Sequence, residues 1–189
     1  KAEANIQADL YAMLTIGSLN LEPEQVARLE FPTGDGTRRR LDIESGHIAI
    51  EVKKDLRPAG VKTDAESQLA GYVATRSAST QSQYVGMLTD GTDWHLYHLL
   101  DDCLSEVASL KLNAETPEVE RLTGWLEAIL ATQTQVRPTP EAIRDRLGAA
   151  SPAHLIDHAT LTSIFDAAKE LSEVQLKREL WSKLLRTAF

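Results

Sequence analysis

A single cysteine, Cys103, among 189 residues excludes an internal disulfide framework and any zinc site built from cysteines. No apolar run approaches the roughly 20 residues that span a bilayer, and no segment of the signal type opens the chain. These absences predict a protein of a reducing, cytoplasmic compartment with no membrane partner. No internal similarity at a solenoid period is present. Basic excess is also missing: 20 Lys and Arg against 28 Asp and Glu give a net charge of −8, which argues against a surface that binds nucleic acid all over. His154 and His158 stand four apart on a predicted helix, but no third ligand is in view and the glutamate of a metalloprotease motif is missing. With His95 and His98 they read as ordinary surface or interface residues, and Trp94, Trp125 and Trp181 as packing residues.

What is present is enough apolar sequence for one domain with a real core, with or without an appendage. Its charge is uneven. Between Gly36 and Lys62 there are seven basic residues (38, 39, 40, 53, 54, 57, 62) against four acids (42, 44, 51, 55). A basic strip on an otherwise acidic body suits a phosphate-containing substrate, or is simply a solvated hairpin edge.

Within that strip, Arg38 to Lys54 reads as two strands folded back around Ser45-Gly46, a dipeptide suited to a tight hairpin. With those two residues as the turn, Ile43 faces Ile48, Asp42 faces Ala49, Leu41 faces Ile50 and Arg40 faces Glu51. Alternation then gathers Leu41, Ile43, Ile48, Ile50 and Val52 on one apolar face, and Asp42, Glu51 and Lys53 on the other. Charges beside a core need partners, because burying a lone charge is expensive. The residues leave two readings open: a salt-bridge cluster in which Lys53 and Arg40 neutralise the carboxylates, or an oxygen cage for a divalent cation.

The rest of the chain supplies the setting. Ile6, Leu10, Met13 and Leu14 at helical spacing predict a helix from Glu3 to Ile16, with Glu3, Gln7 and Tyr11 on its polar side. A first strand is expected within 26–31, and a turn-rich loop over 32–37. Asp64 is the expected N-cap of a helix over 65–76 that stacks Gln68 and Tyr72 on one face, with a polar loop over 77–83 after it. Strands over 84–89 and 92–99 flank the turn signal Asp90-Gly91, and another strand lies within 105–112. A helix follows from 117 to about 132, then a Pro-containing polar linker over 133–140, then helices alone.

Asp42, eight intervening residues, then Glu51-Val52-Lys53 resembles the Asp…(Asp/Glu)-x-Lys signature of the restriction-endonuclease-like nuclease superfamily. Gln68 and Tyr72 are similar to the Gln-x-x-x-Tyr motif of its RecB-like branch, and Glu3 matches the acidic residue that many such nucleases contribute from their first helix. The hairpin from Leu88 to Tyr97 resembles one in nuclease domains of restriction–modification proteins. The tail from Leu176 to Leu185 resembles the helical segment joining such a domain to an N6-adenine methyltransferase.

The resemblance implies an α/β fold with a restriction-endonuclease-like α/β/α core, a central mixed sheet and a C-terminal helical segment. It divides the chain into a nuclease domain over 1–132 and a helical connector over 133–189. It implies Mg²⁺ (for which Mn²⁺ can substitute) held by Asp42, Glu51 and the Val52 carbonyl, with Lys53, Gln68, Tyr72 and Glu3 completing the site. Phosphate contacts then fall to Arg38, Arg40, Lys54, Arg57 and Lys62, with Arg39 beside them. Implied partners are double-stranded DNA, fused methyltransferase and target-recognition domains, and a transient dimer for cutting both strands. Two other functions stay open at this point: a RecB-like nuclease of repair or recombination, and a noncatalytic DNA-binding module that has kept the fold.

Overall fold

A computed structural model describes residues 2–16, 19, 27–32, 40–100, 103–116, 118–130 and 139–188. Two compact units divide the chain at Ile156 and Asp157. In chain order the elements are α1 (Glu3–Ile16), β1 (Arg28–Pro32), β2 (Arg40–Ser45), β3 (Ile48–Val52), α2 (Val61–Thr80), β4 (Val85–Thr89), β5 (Asp93–Leu100) and β6 (Cys103–Lys111). Helices α3 (Val119–Leu130), α4 (Pro140–Leu147), α5 (Pro152–Ala168) and α6 (Ser172–Ala188) follow. The protein is therefore mixed α/β. Arg38, Arg39, the expected loop over 32–37 apart from Pro32, and the expected linker over 133–140 apart from its last two residues lie outside the described residues.

The strands form one six-stranded sheet in sequence order. Every neighbouring pair is antiparallel except β3 and β4, which run parallel. A parallel pair needs a crossover connection, and α2 supplies it. This crossover makes β3 an inner strand, and all five of its residues are buried.

Both faces of the sheet are covered. Ile6, Leu10 and Leu14 of α1 and Leu126 and Leu130 of α3 pack with Ile43, Ile48, Ile50, Val52, Met87, Trp94 and Leu96. Ala65, Leu69, Tyr72 and Val73 of α2 pack with Ala49, Leu88 and Tyr97. Adjacent residues such as Met87 and Leu88, or Leu96 and Tyr97, divide between the two clusters as strand alternation requires. At Gly86 the absence of a side chain decides the packing, since a Cβ there would come 3.0 Å from Leu69 Cγ and Cδ2 and 3.4 Å from Val73 Cγ2.

Four expectations are corrected. The hairpin turn is Gly46-His47, not Ser45-Gly46: Ser45 pairs with Ile48, Glu44 with Ala49 and Ile43 with Ile50. Gly46 takes φ 56°, and a left-handed first turn residue is what glycine allows without strain. Leu41 leaves the expected face, packing with the α2-side cluster while Ile43 packs with the opposite one, so the alternation breaks at Asp42. Helix α2 begins at Val61, where the Asp64 N–H donates to the Gly60 carbonyl at 2.9 Å, and so Asp64 sits in the first turn and is not the cap. Finally, α2 runs on to Thr80 through residues expected to be loop. Ser79 and Thr80 turn their hydroxyls back onto the Arg76 carbonyl at 3.1 and 2.8 Å, which accommodates them in a helical last turn.

The second unit, residues 157–189, contains the greater part of α5 and all of α6. Leu176, Leu180 and Leu184 repeat every fourth residue along α6 and are exposed. No helix among the described residues is long and apolar enough to cross a membrane.

The tight approach of α2 to β4 yields a prediction. Gly86→Val forces branched methyls into the space filled by Leu69, and overpacking of this kind costs about 1–3 kcal/mol. The urea midpoint is expected to fall accordingly. An unchanged midpoint shows that α2 can lift from the strand at no cost.

Candidate functional site

The site begins where the main-chain pairing of β2 and β3 stops. Past Ile43 and Ile50 each strand stays with its outer neighbour: Leu41 and Arg40 with Phe31 and Pro32 of β1, Glu51 and Val52 with Leu88 and Thr89 of β4. The Val52 N–H therefore has no β2 carbonyl in register, and it donates to Asp42 Oδ2 at 2.8 Å. The next N–H, of Lys53, donates to the Thr89 carbonyl at 2.9 Å. The corrected turn slides the register by two residues, which brings Asp42 level with Glu51 instead of Ala49. It also takes Arg40 beyond the end of β3, away from its expected place opposite Glu51.

Glu51 lies on the α2 side and is 4 % exposed. Lys53 Nζ donates to its Oε1 at 2.5 Å. Among the described residues, Glu51 Oε2 is buried with no hydrogen-bond partner. Burial, with the Asp42 charge adding to it, pushes the Glu51 carboxyl up from 4.5 to about 7, against the opposing pull of Lys53. For Lys53 burial works the other way, but Glu51, Glu3 and Asp42 outweigh it and hold the ammonium above the ordinary lysine range. One cation thus faces several carboxylates and does not neutralise them.

Two helices close on this group. From α2, Gln68 Oε1 accepts from Lys53 Nζ at 3.4 Å. Tyr72 is buried, and its hydroxyl donates to the Arg40 carbonyl at 3.0 Å. From α1, Glu3 is exposed yet acts on the charges of both Glu51 and Lys53. One turn further on, Gln7 Nε2 donates to the Asp42 carbonyl at 3.1 Å. Helical spacing puts residues four apart on one side of α1, and that is how Glu3 and Gln7 both reach the hairpin. Asp90, in the turn between β4 and β5, fixes the chain beyond Lys53: its Oδ2 accepts from the Leu56 N–H at 3.1 Å, and its Oδ1 from Thr92 and Asp93.

The remaining basic candidates are spread along the surface. Lys54 is exposed. Arg57 makes a two-pronged pair with Asp55, 2.8 Å at each contact. Lys62 holds Glu106 at 3.0 Å and Glu66 at 3.8 Å.

A second charged cluster, on β2, has no signal in the sequence. Glu44 is 4 % exposed, and its Oε1 accepts from Arg76 at 2.7 Å and from Tyr84 at 2.8 Å. The guanidinium also lies 5.4 Å from the centre of the Tyr84 ring. Its members are 32 and 40 residues apart, so only the folded chain brings them together.

Among the described residues no group of three or more His, Cys, Asp or Glu side chains could hold a metal ion. The set here is smaller: two carboxylates and a neighbouring main-chain carbonyl. Mg²⁺ commonly takes one or two carboxylates and keeps several waters, so this donor set fits it, and the unpartnered buried Glu51 oxygen is the atom that such a cation satisfies. Compared with protein-family models, curated proteins and solved structures, the chain finds no match.

Two predictions follow from the contrast between the carboxylates. The carboxyl of Glu51 is raised, so between pH 4.5 and about 7 the folded protein binds more protons than the unfolded chain. Its contribution to stability is full below that window and falls as pH rises through it, by roughly 3 kcal/mol in all. In the presence of a chelator, Glu51→Gln should therefore gain on the wild type by about that amount between pH 4.5 and pH 8 in urea unfolding. A difference that stays constant with pH contradicts the uncompensated burial of Glu51.

Glu44 differs from Glu51 in that its cationic partner is in place. Arg76→Met leaves a buried carboxylate without its cation and should cost about 3–5 kcal/mol, much of it recovered when Glu44→Gln is added. Additive losses in that double-mutant cycle contradict a coupled pair.

Proposed function

We propose that the chain carries a Mg²⁺-dependent endonuclease site of the restriction-endonuclease-like kind, acting on the phosphodiester bonds of double-stranded DNA. The observation that carries this reading is the buried, unpartnered Oε2 of Glu51 beside Asp42, where two strands of a hairpin part company. A fold keeps such an atom at a cost of about 1–3 kcal/mol or more, and a cation removes that cost. The mixed sheet with helices on both faces, the Lys53–Gln68 contact and the approach of Glu3 from α1 also support it.

Asp42, Glu51 and the Val52 carbonyl would hold the cation, which supplies charge at the scissile phosphate and a more acidic water. The chain's own residues do the rest. Val52 N–H holds the Asp42 carboxylate in one orientation. Lys53, freed from part of its attachment to Glu51, orients the attacking water and offers positive charge to the phosphorane-like transition state. Gln68 keeps the ammonium on the α2 side. The Tyr72 hydroxyl ties the incoming end of β2 to α2 and so fixes the approach to Asp42.

The domain belongs, on this reading, to a bacterial restriction–modification enzyme in which cleavage, methylation and recognition share one chain. Recognition and methylation then reside in fused target-recognition and methyltransferase domains, and cutting both strands takes a transient pairing of two nuclease sites. The acidic surface agrees with delegated recognition, since it offers little sequence-independent attraction to DNA.

Calorimetric titration of Mn²⁺ into metal-free protein should show a site that Asp42→Ala abolishes. With Mg²⁺ and duplex DNA, Lys53→Met should lower the cleavage rate by about 10²–10³-fold while Mn²⁺ still binds. Mn²⁺ binding that is indifferent to Asp42→Ala rejects the metal site, and Mn²⁺ binding without any cleavage favours a noncatalytic module.

A further inference from the structure

The donors around Asp42 divide between its two ends. Its carboxylate is held by the Val52 N–H from β3, and its main-chain carbonyl by Gln7 Nε2 from α1. The second contact is the unusual one. It spans 35 residues, joins a half-buried amide to a strand residue, and lies where β2 has left the β3 ladder and pairs only with β1. The α1 helix itself is anchored independently, through Ile6, Leu10 and Leu14 in the apolar cluster. The Gln7 amide is therefore not needed to dock the helix. What it restrains is the main chain of Asp42.

We infer that Gln7 is a positioning residue for the metal site: it transmits the placement of α1 to the Asp42 backbone and so sets where that carboxylate presents itself beside Glu51. This inference rests on the reading of Asp42 and Glu51 as cation ligands. The chemistry is that of an outer partner, which touches neither cation nor substrate but orients a ligand, and removal of such partners typically weakens metal affinity by 10–100-fold. Gln7 holds the backbone of the ligand, not its carboxylate, so the lower end, about tenfold, is expected. Glu3, one turn earlier on the same side, is exposed and acts on Glu51 and Lys53 through its charge.

The test is Mn²⁺ affinity by calorimetry on the metal-free protein, with thermal unfolding measured alongside. Gln7→Met keeps length and bulk and removes the donor. It should weaken Mn²⁺ binding about tenfold while the metal-free Tm moves by no more than about 4 °C. Leu14→Val serves as the control on the same helix, since it trims a buried anchor of α1 in the apolar cluster and leaves the Gln7 amide in place. Loss of a buried methylene should lower Tm without changing Mn²⁺ affinity. If Asp42→Ala weakens binding and Gln7→Met does not, the positioning role is overturned while the metal site stands. If Leu14→Val weakens binding as much as Gln7→Met, the effect is general loosening of α1 and the inference is again overturned. If even Asp42→Ala leaves Mn²⁺ affinity unchanged, the metal reading fails and this inference with it.

Discussion

The donation of the Val52 N–H to a side chain, where a strand would ordinarily supply a carbonyl, is the interaction on which the site depends. A buried strand keeps its main-chain donors bonded, and β3 is buried along its whole length. Past Ile43 and Ile50, β3 stays with β4 and β2 with β1, and the ladder between the two hairpin strands ends. Asp42 bridges the gap. A carboxylate recruited to complete a main-chain hydrogen bond is thereby fixed in place next to Glu51, and the constraint that closes the sheet is the one that brings the two acids together.

The two buried glutamates of the hairpin have different surroundings. Glu44 and Glu51 are equally buried, at 4 % exposure. Glu44 has an arginine and a tyrosine on one oxygen, the arrangement that makes a buried charge tolerable. Glu51 has a lysine on one oxygen, no partner among the described residues on the other, and another carboxylate for a neighbour. Desolvation and like charge both act against its ionised form, and a single ammonium does not offset them. A salt-bridge cluster built for stability alone would resemble the first arrangement. The second is a site short of positive charge, and a perturbed carboxyl among convergent polar groups is where chemistry is expected.

Much of this was legible in the sequence, for a definite reason. The observed turn lies one residue beyond the expected one, which slides the pairing by two and so leaves the parity of the two strands unchanged. Asp42 comes level with Glu51 instead of Ala49, and Lys53 lies against Glu51. Leu41 was not foreseen on the α2 side, because alternation describes a strand in a continuous ladder and the ladder stops at Ile43. The ends of α2 were misread because local residue preference favours Asp64 as a cap and a Ser/Thr run as loop, while burial of Leu69, Tyr72 and Val73 stabilises the longer helix. The Glu44–Arg76–Tyr84 cluster and the Gln7 contact join residues more than thirty apart, and no periodicity encodes such pairs.

The charge pattern changes meaning once the fold is known. Read along the chain, Arg57 and Lys62 belong to a basic strip. In the structure Arg57 lies against Asp55 and Lys62 against Glu106 and Glu66, so both already have carboxylate partners. The Arg57 pair is largely exposed and therefore weak, and a phosphate could compete for it. Lys62 has more to give up. On the proposed reading, little of the charge that meets a phosphate then comes from the strip, and more comes from Lys53 and the cation between Asp42 and Glu51. Few basic contacts mean a shallow dependence of DNA binding on salt. On that reading, a nuclease domain with a net charge of −8 would act on DNA brought to it rather than capture DNA for itself, a division of labour that suits recognition by another domain.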